Sequence, residues 1–313
     1  MSAGGAGGTG TGGAVNLTRF AWLSIAAALL TIGLKSGAYL ITGSVGLLSD
    51  AAESGVNLVA AIVALTALRV AAWPADHNHH YGHGKAEYFS AGVEGLMIFV
   101  AAAVILLTAV ERFLRPMPLE SVGIGLAISA FASVINGVVG VILIRAGRDH
   151  RSAALAADGR HLLTDVWTSA GVIVGVFLVV VTGWDRLDPI VAAAVGLNIL
   201  ITGYRLLSQS VTSLLDAALP VEDLAEIDTV LDRFRSAEVA FTDLRTRASG
   251  RHRFIALTVL VPGAWSVERG HVLADEVERA IADALPDCDA QTHLEPHEVR
   301  IAAGSPTGAD APG

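Results

Sequence analysis

Long apolar runs decide what this chain can fold into. Stretches of about 20 or more apolar residues, the length a helix needs to cross a hydrocarbon core of about 30 Å, recur up to about Leu215 and then stop. Backbone immersed in lipid must satisfy its own hydrogen bonds, so runs of this length are read as helices. Six can be separated: about Phe20–Leu40, closed by "ITGS"; Val45–Val70; Tyr88–Leu114, terminated by the prolines of "RPMP"; Val122–Ile144; Ala153–Thr182; and Pro189–Leu215. Only 16% of the 313 residues are charged, against roughly a quarter in soluble domains. The fold class is therefore a membrane protein of six transmembrane helices, and an even number of spans places both termini on one side.

The rest of the chain reads differently. "VEDLAEIDTVLDRFR" has helical periodicity, "VAFTDLRTRA" and "RFIALTVLV" alternate as strands about the turn "SGRH", "SVERGHVLADEVERAIADAL" is an amphipathic helix, and "DAQTHLEP" is a last strand. That α-β-β-α-β order predicts a small sheet covered on one face by helices. The expected organisation is a disordered Gly-rich tail over 1–15, a transmembrane domain over 16–217, an α/β domain over 218–300 and a disordered tail over 301–313. The Gly-rich start has no basic cluster before an apolar core, so it does not read as a signal peptide.

Basic residues in short loops favour the cytoplasm. Arg69 and Lys85 lie between spans two and three, and Arg145, Arg148 and Arg151 between spans four and five, whereas the opposite connections offer Arg115 and Arg186. This bias puts the loop at 76–85, both termini and the α/β domain in the cytoplasm. A single cysteine, Cys288, excludes an intramolecular disulfide and a multi-thiolate metal site. A net charge of −9 argues against a nucleic-acid partner.

Polar residues inside spans are expensive and therefore informative. In span two, "SDAAESGVN" places Asp50, Glu53, Ser54 and Asn57 on one helical face. In span five, "DGRHLLTD" pairs His161 with Asp165 at i, i+4. Two such helices can converge on a site built from Glu53, Asn57, His161 and Asp165, and a bound divalent cation would offset the cost of burying the acids and the histidine. Ser54 is read as an interhelical hydrogen-bonding group.

"DHNHHYGHGKAEYF", residues 76–89, packs four histidines and an aspartate between two apolar runs. His79 and His83 are four apart, which suits chelation if the stretch is helical, and Asp76 is near enough to be a third ligand. The alternative is a solvated His-rich loop with casual metal affinity.

Taken together, the quartet on spans two and five, "GHGKAE" after span two, "LDP" opening span six, "SLLD" closing it and "HLEP" in the last strand resemble the cation diffusion facilitators, a family of divalent-metal/proton antiporters. The resemblance runs from about Arg19 to Val299. It implies a homodimer with a metallochaperone-like cytoplasmic domain and a transport site at Glu53, Asn57, His161 and Asp165. The family commonly has Asp or His, then Asp, where Glu53 and Asn57 stand here, so this site carries one carboxylate fewer. Asp50, one turn before Glu53, is a group behind the site or a substitute ligand. The same correspondence implies a second metal site at Asp76, His79 and His83, and a charge interlock between Lys85 and Asp216 at or near the dimer interface. It also implies a weaker site at His271, His293 and Glu295, because Thr242 and Thr258 replace two of the histidines of the best-equipped members.

The expected function is efflux of a divalent metal by proton-coupled antiport across the lipid bilayer of a bacterial plasma (inner) membrane. One imidazole among oxygen donors favours Zn²⁺ or Fe²⁺ and leaves Mn²⁺, Co²⁺ and Cd²⁺ open. A membrane sensor or scaffold would bind metal without translocating it. An intramembrane metalloenzyme would need an open coordination position and a general base, and no H-E-x-x-H motif appears in the sequence.

Overall fold

A computed structural model describes residues 17–42, 45–115, 124–184 and 186–297. Six long helices, α1 (Thr18–Thr42), α2 (Val45–Ala71), α3 (Ala86–Leu114), α4 (Ile124–Asp149), α5 (Ala153–Thr182) and α6 (Leu187–Leu214), precede the α/β domain. Within the described residues, Thr18–Gly37, Ala86–Leu114, Ala130–Asp149 and Pro189–Leu214 are each long and apolar enough to cross a membrane, and Asn57–Ala71 is a shorter apolar segment. Helix α4 continues beyond the expected end at Ile144 through "RAGRD". Loss of hydropathy marks the edge of the hydrocarbon, whereas a helix ends only where its hydrogen bonds do. The tails, "RPMP" beyond Arg115, and Gly43 and Ser44 of "ITGS" lie outside the described residues.

The bundle is apolar on its outside, as lipid requires. Leu29, Leu30, Val100, Leu107, Phe131, Val138 and Leu197 are all exposed, an apolar surface that water would not tolerate on a soluble monomer. Inside, small residues let the helices close. A Cβ at Gly95 would lie 2.8 Å from the Leu207 backbone nitrogen, and one at Gly203 would lie 2.7 Å from that of Phe99. Such close backbone approach is how helices gain packing where lipid offers no hydrophobic drive. On the other side of α5, Ala61, Leu65, Leu143, Leu155 and Leu162 form a core shared by α2, α4 and α5, with Ala21 and Ile25 of α1.

The α/β domain follows as α7 (Val221–Asp232), β1 (Ala240–Ser249), β2 (His252–Val261), α8 (Val267–Ala284) and β3 (Cys288–Pro296). The sheet order is β1-β2-β3, with β1 antiparallel and β3 parallel to the central β2. A parallel pair needs a crossover, which α8 supplies. Buried residues of β2 (Ile255, Leu257), α7 (Ile227, Val230, Leu231) and α8 (Val277, Ile281) form the core. The Ser266 hydroxyl accepts the Arg269 backbone N–H at 3.2 Å and caps α8, an arrangement worth about 1 kcal/mol.

The domain is tied to one end of the bundle. The Tyr88 hydroxyl, at the start of α3, donates to the Gly250 carbonyl at 3.3 Å. Arg151, before α5, lies 3.6 Å from Asp223 of α7. The β1–β2 turn presses on the loop before α3: Gly250 has φ +60, and a Cβ there would meet the Gly84 carbonyl oxygen at 2.9 Å. Glycine is required on both counts. The Ser152 hydroxyl, just before α5, hydrogen-bonds the Glu87 carboxylate of α3. Phe20 of α1 and His150 face each other at 6.3 Å, so α1, α3 and α5 all begin at the end that carries the domain.

Candidate metal centres

Near the middle of the bundle, α2, α4 and α5 bring four polar side chains together. The Asn57 amide nitrogen donates to the Asp165 carboxylate. Its amide oxygen lies 2.8 Å from His161 Nε2. Asn136 of α4 donates to the same Asp165 oxygen at 3.3 Å. All four side chains are buried. A carboxylate accepts only, so the Asn57 NH₂ must face Asp165, and its oxygen must then face an imidazole N–H. This fixes the proton of a neutral His161 on Nε2. The other nitrogen, Nδ1, is left buried with no hydrogen-bond partner among the described residues, as is the Asn136 amide oxygen. Two free lone pairs beside a carboxylate in a low-dielectric interior constitute a cation-seeking environment.

Asn136 was not anticipated. It is a lone amide in the apolar run "SVINGVVG", and the only signal was that an amide inside a span wants a partner. Asp50 and Glu53 lie on α2, and Glu53 stands one turn from Asn57, but their side chains lie outside the described residues.

The histidine loop gathers its ligands without being a helix. Residues 72–85 form a succession of turns. Asp76 Oδ1 accepts the backbone N–H groups of Asn78 at 2.8 Å and His79 at 2.7 Å, an Asx-turn, and Gly82 takes φ +75 to reverse the chain. The Asp76 carboxylate therefore sits between two imidazoles, with His79 Nδ1 at 3.2 Å and His83 Nε2 at 3.5 Å. One ligand atom from each of the three residues falls within 4.8 Å of the others. The N–H of Asn78, followed by that of His79, holds the Asp76 carboxyl below its ordinary range. The stretch is not helical, so the i, i+4 spacing of His79 and His83 does not act through a helix face; the carboxylate and two turns do the gathering.

Beside it, Lys85 Nζ lies 2.9 Å from Asp216 and donates to the Leu214 carbonyl at 3.2 Å. The pair closes within one chain. Arg247 reaches the same carboxylate at 3.5 Å while stacking on Tyr81 at 4.1 Å and Phe254 at 4.6 Å. The Lys85 hydrogen bond is the main reason the Asp216 carboxyl is held below its usual range.

The third expected group does not assemble within the chain. His271 lies on the exposed side of α8, with Nδ1 3.6 Å from Asp275. His293 is exposed on β3, with Glu295 two residues further along the strand. Among the described residues, Asp76, His79 and His83 are the sole trio of His, Cys, Asp or Glu within common ligand range. Thr242, Thr258 and His293 are lateral neighbours across the three strands.

Residues 21–215 match the family model for the cation efflux transmembrane domain, and residues 219–297 match that for the cation efflux protein cytoplasmic domain. An uncharacterized transporter of Synechocystis sp., sll1263, is 53% identical over 279 residues, covering 89% of this chain and 90% of its own. The cation-efflux pump FieF of Klebsiella pneumoniae subsp. pneumoniae is 34% identical over 289 residues, 92% of this chain and 95% of its own. Among solved structures, the metal-bound C-terminal domain of the CzcD transporter from Thermotoga maritima is 28% identical and covers 24% of this chain and 88% of that one, with a TM-score of 0.23. The matches cover both the helical bundle and the α/β domain and define a membrane cation transporter. The chain belongs to the cation efflux family, the cation diffusion facilitators, which expel divalent metal cations.

Proposed function

We propose that this protein exports a divalent metal cation in exchange for protons, with Asn57, His161 and Asp165, joined by Glu53, as the transport ligands. The observation that carries the reading is the buried cluster at mid-helix, in which one carboxylate, one imidazole and two amides come from three helices. A ligand must be deprotonated to bind metal, so metal and protons compete for the same atoms. Arrival of the cation would displace protons from His161 and the carboxylates, and protons returning from the far side would release it. Alternating access in a homodimer supplies the two exposures. Asn136 holds the Asp165 carboxylate in place while its other donor, Asn57, turns toward metal.

Zn²⁺ or Fe²⁺ fits one imidazole among oxygens. Mn²⁺, Co²⁺ and Cd²⁺ are the other cations to test. The reading places the histidine loop and the α/β domain on the cytoplasmic side of a bacterial inner membrane. There Asp76, His79 and His83 would hold a metal that braces the loop or loads the path. Asp50, one turn before Glu53 in the sequence, would be a group behind the site or a substitute ligand. His271, His293 and Glu295 would make, at most, a weak site in the cytoplasmic domain.

The test is metal uptake into proteoliposomes carrying a pH-sensitive dye, with the five ions in parallel. Metal flux with opposite proton movement, abolished in Asp165→Ala, is the expected result. Wild-type flux in that variant would refute the ligand assignment, and metal binding without flux in the native chain would make it a sensor.

A further inference from the structure

Besides the transport cluster, the bundle buries a second set of acids. Glu94 of α3 and Asp158 of α5 are both 0% exposed. Glu94 Oε1 accepts a hydrogen bond from the Ser90 hydroxyl at 3.3 Å. Glu94 Oε2 and both oxygens of Asp158 have no hydrogen-bond partner among the described residues, and neither does the hydroxyl of Ser24 on α1. Helices α3 and α5 pack together, and Asp158 is near enough to act electrostatically on Glu94. Ser24 interacts with Asp158 without closing a hydrogen bond. No ion pair to either acid occurs among the described residues. Three helices thus present four unsatisfied oxygens, two of them on a single carboxylate, in a region closed to water.

Their position gives them a task. Helices α1, α3 and α5 all start at the end that carries the α/β domain, and Ser24, Glu94 and Asp158 stand about one and a half to two turns in from that end. On α5, Asp158, His161 and Asp165 follow at i, i+3 and i+7, one stripe of the helix. At 1.5 Å per residue, Asp158 lies about 4.5 Å closer to that end than His161 and about 10 Å closer than Asp165. On α3, Glu94 is two turns beyond the loop that carries Asp76, His79 and His83. Asp158 therefore stands nearer the end of the histidine loop than the transport ligands of its own helix, while Glu94 on α3 is about as deep as His161 on α5.

We propose that Glu94 and Asp158, with the hydroxyl of Ser24, form a second intramembrane cation site, an all-oxygen way station between the histidine loop and the Asn57, His161 and Asp165 cluster. The inference rests on the reading that cations traverse the bundle, and it adds a site that reading does not need. Carboxylate and hydroxyl oxygens suit harder divalent ions such as Mn²⁺. The way station is therefore less selective than the nitrogen-containing cluster beyond it. Its role is to offset the desolvation of an incoming cation before the cation meets the selective ligands.

The test uses the full chain in detergent, with Mn²⁺ binding read by electron paramagnetic resonance. A background variant, Asp76→Ala with Asp165→Ala and His293→Ala, disables the other candidate sites. We expect it to retain a single Mn²⁺ per protomer, lost when either Glu94→Gln or Asp158→Asn is added. A background that binds no Mn²⁺, or binding that survives both neutral substitutions, overturns the proposal and leaves the acids as proton carriers. Should those variants fail to fold, Ser24→Cys answers the same question by gain. In the S24C chain, Cd²⁺ should slow alkylation of the new thiol at least tenfold, and absence of protection overturns the site. These readouts need no flux, so a chain that binds Mn²⁺ at the acids yet moves no metal would refute transport and leave the site standing.

Discussion

At the residue scale, Asn57 is the informative departure. Its amide bonds Asp165 and His161 at once. Asn57→Asp would replace a donor with a second carboxylate facing Asp165, and like charges in a dry interior repel strongly. The variant should therefore melt at lower temperature without metal and gain more from added Zn²⁺ than the wild type, as a thermal-shift titration would read. Arg253 teaches a different lesson. It is 2% exposed, bonds Asp223 at 2.8 and 3.1 Å, and donates to the Pro286 carbonyl. Arg253→Ala would remove two hydrogen bonds from the partly buried Asp223 carboxylate, which keeps Arg151 at 3.6 Å, with an expected loss of about 1.5–3 kcal/mol, visible as faster hydrogen exchange along β2. Burial, and after it the charges of Asp289 and Asp223, push the Cys288 thiol up to about 11. The thiolate is the reactive form, so Cys288 should alkylate slowly at neutral pH and faster only as pH rises toward that value.

At the element scale, the sequence made the helices and strands legible because apolar runs and alternation are local signals. Residues 153–182 of α5 were placed to the residue. The i, i+4 spacing of His161 and Asp165 was equally legible. The partners that complete each site were not. Asn136 meets Asp165 from another helix, and Asp158 stood in the quoted "DGRHLLTD" without a partner to mark it. The Lys85–Asp216 pair joins residues far apart in the chain; no periodicity reveals it, and the family resemblance alone named it. Its pH dependence has a definite sign. A carboxylate held below its ordinary range contributes stability above the unfolded value of about 4, and loses it as pH falls through the lowered folded value. The stability difference between wild type and Asp216→Asn should therefore stay flat from pH 8 to 5 and shrink in stronger acid. If thermal melts show it changing near neutrality, another group governs the interlock. Both side chains are half-exposed, so the pair itself is worth little, about 0–1 kcal/mol.

At the scale of the whole molecule, the metal loop, the start of α3 and the β1–β2 turn form one continuous seam. Gly84 and Gly250 touch backbone to backbone, Tyr88 reaches Gly250, and Arg247 lies between Tyr81 and Phe254. Gly250→Ala would combine a strained positive φ with a clash against Gly84, neither of which a side chain can relieve. It should loosen the domain from the bundle while both remain folded, which limited proteolysis after Leu215 would detect as faster cleavage. The same seam governs how this protein could be recombined. A chimaera joined at Leu219 would inherit a turn and a loop shaped for different partners. Exchange of cytoplasmic domains between relatives should succeed only when residues 81–88 travel with residues 247–254 as a single cassette.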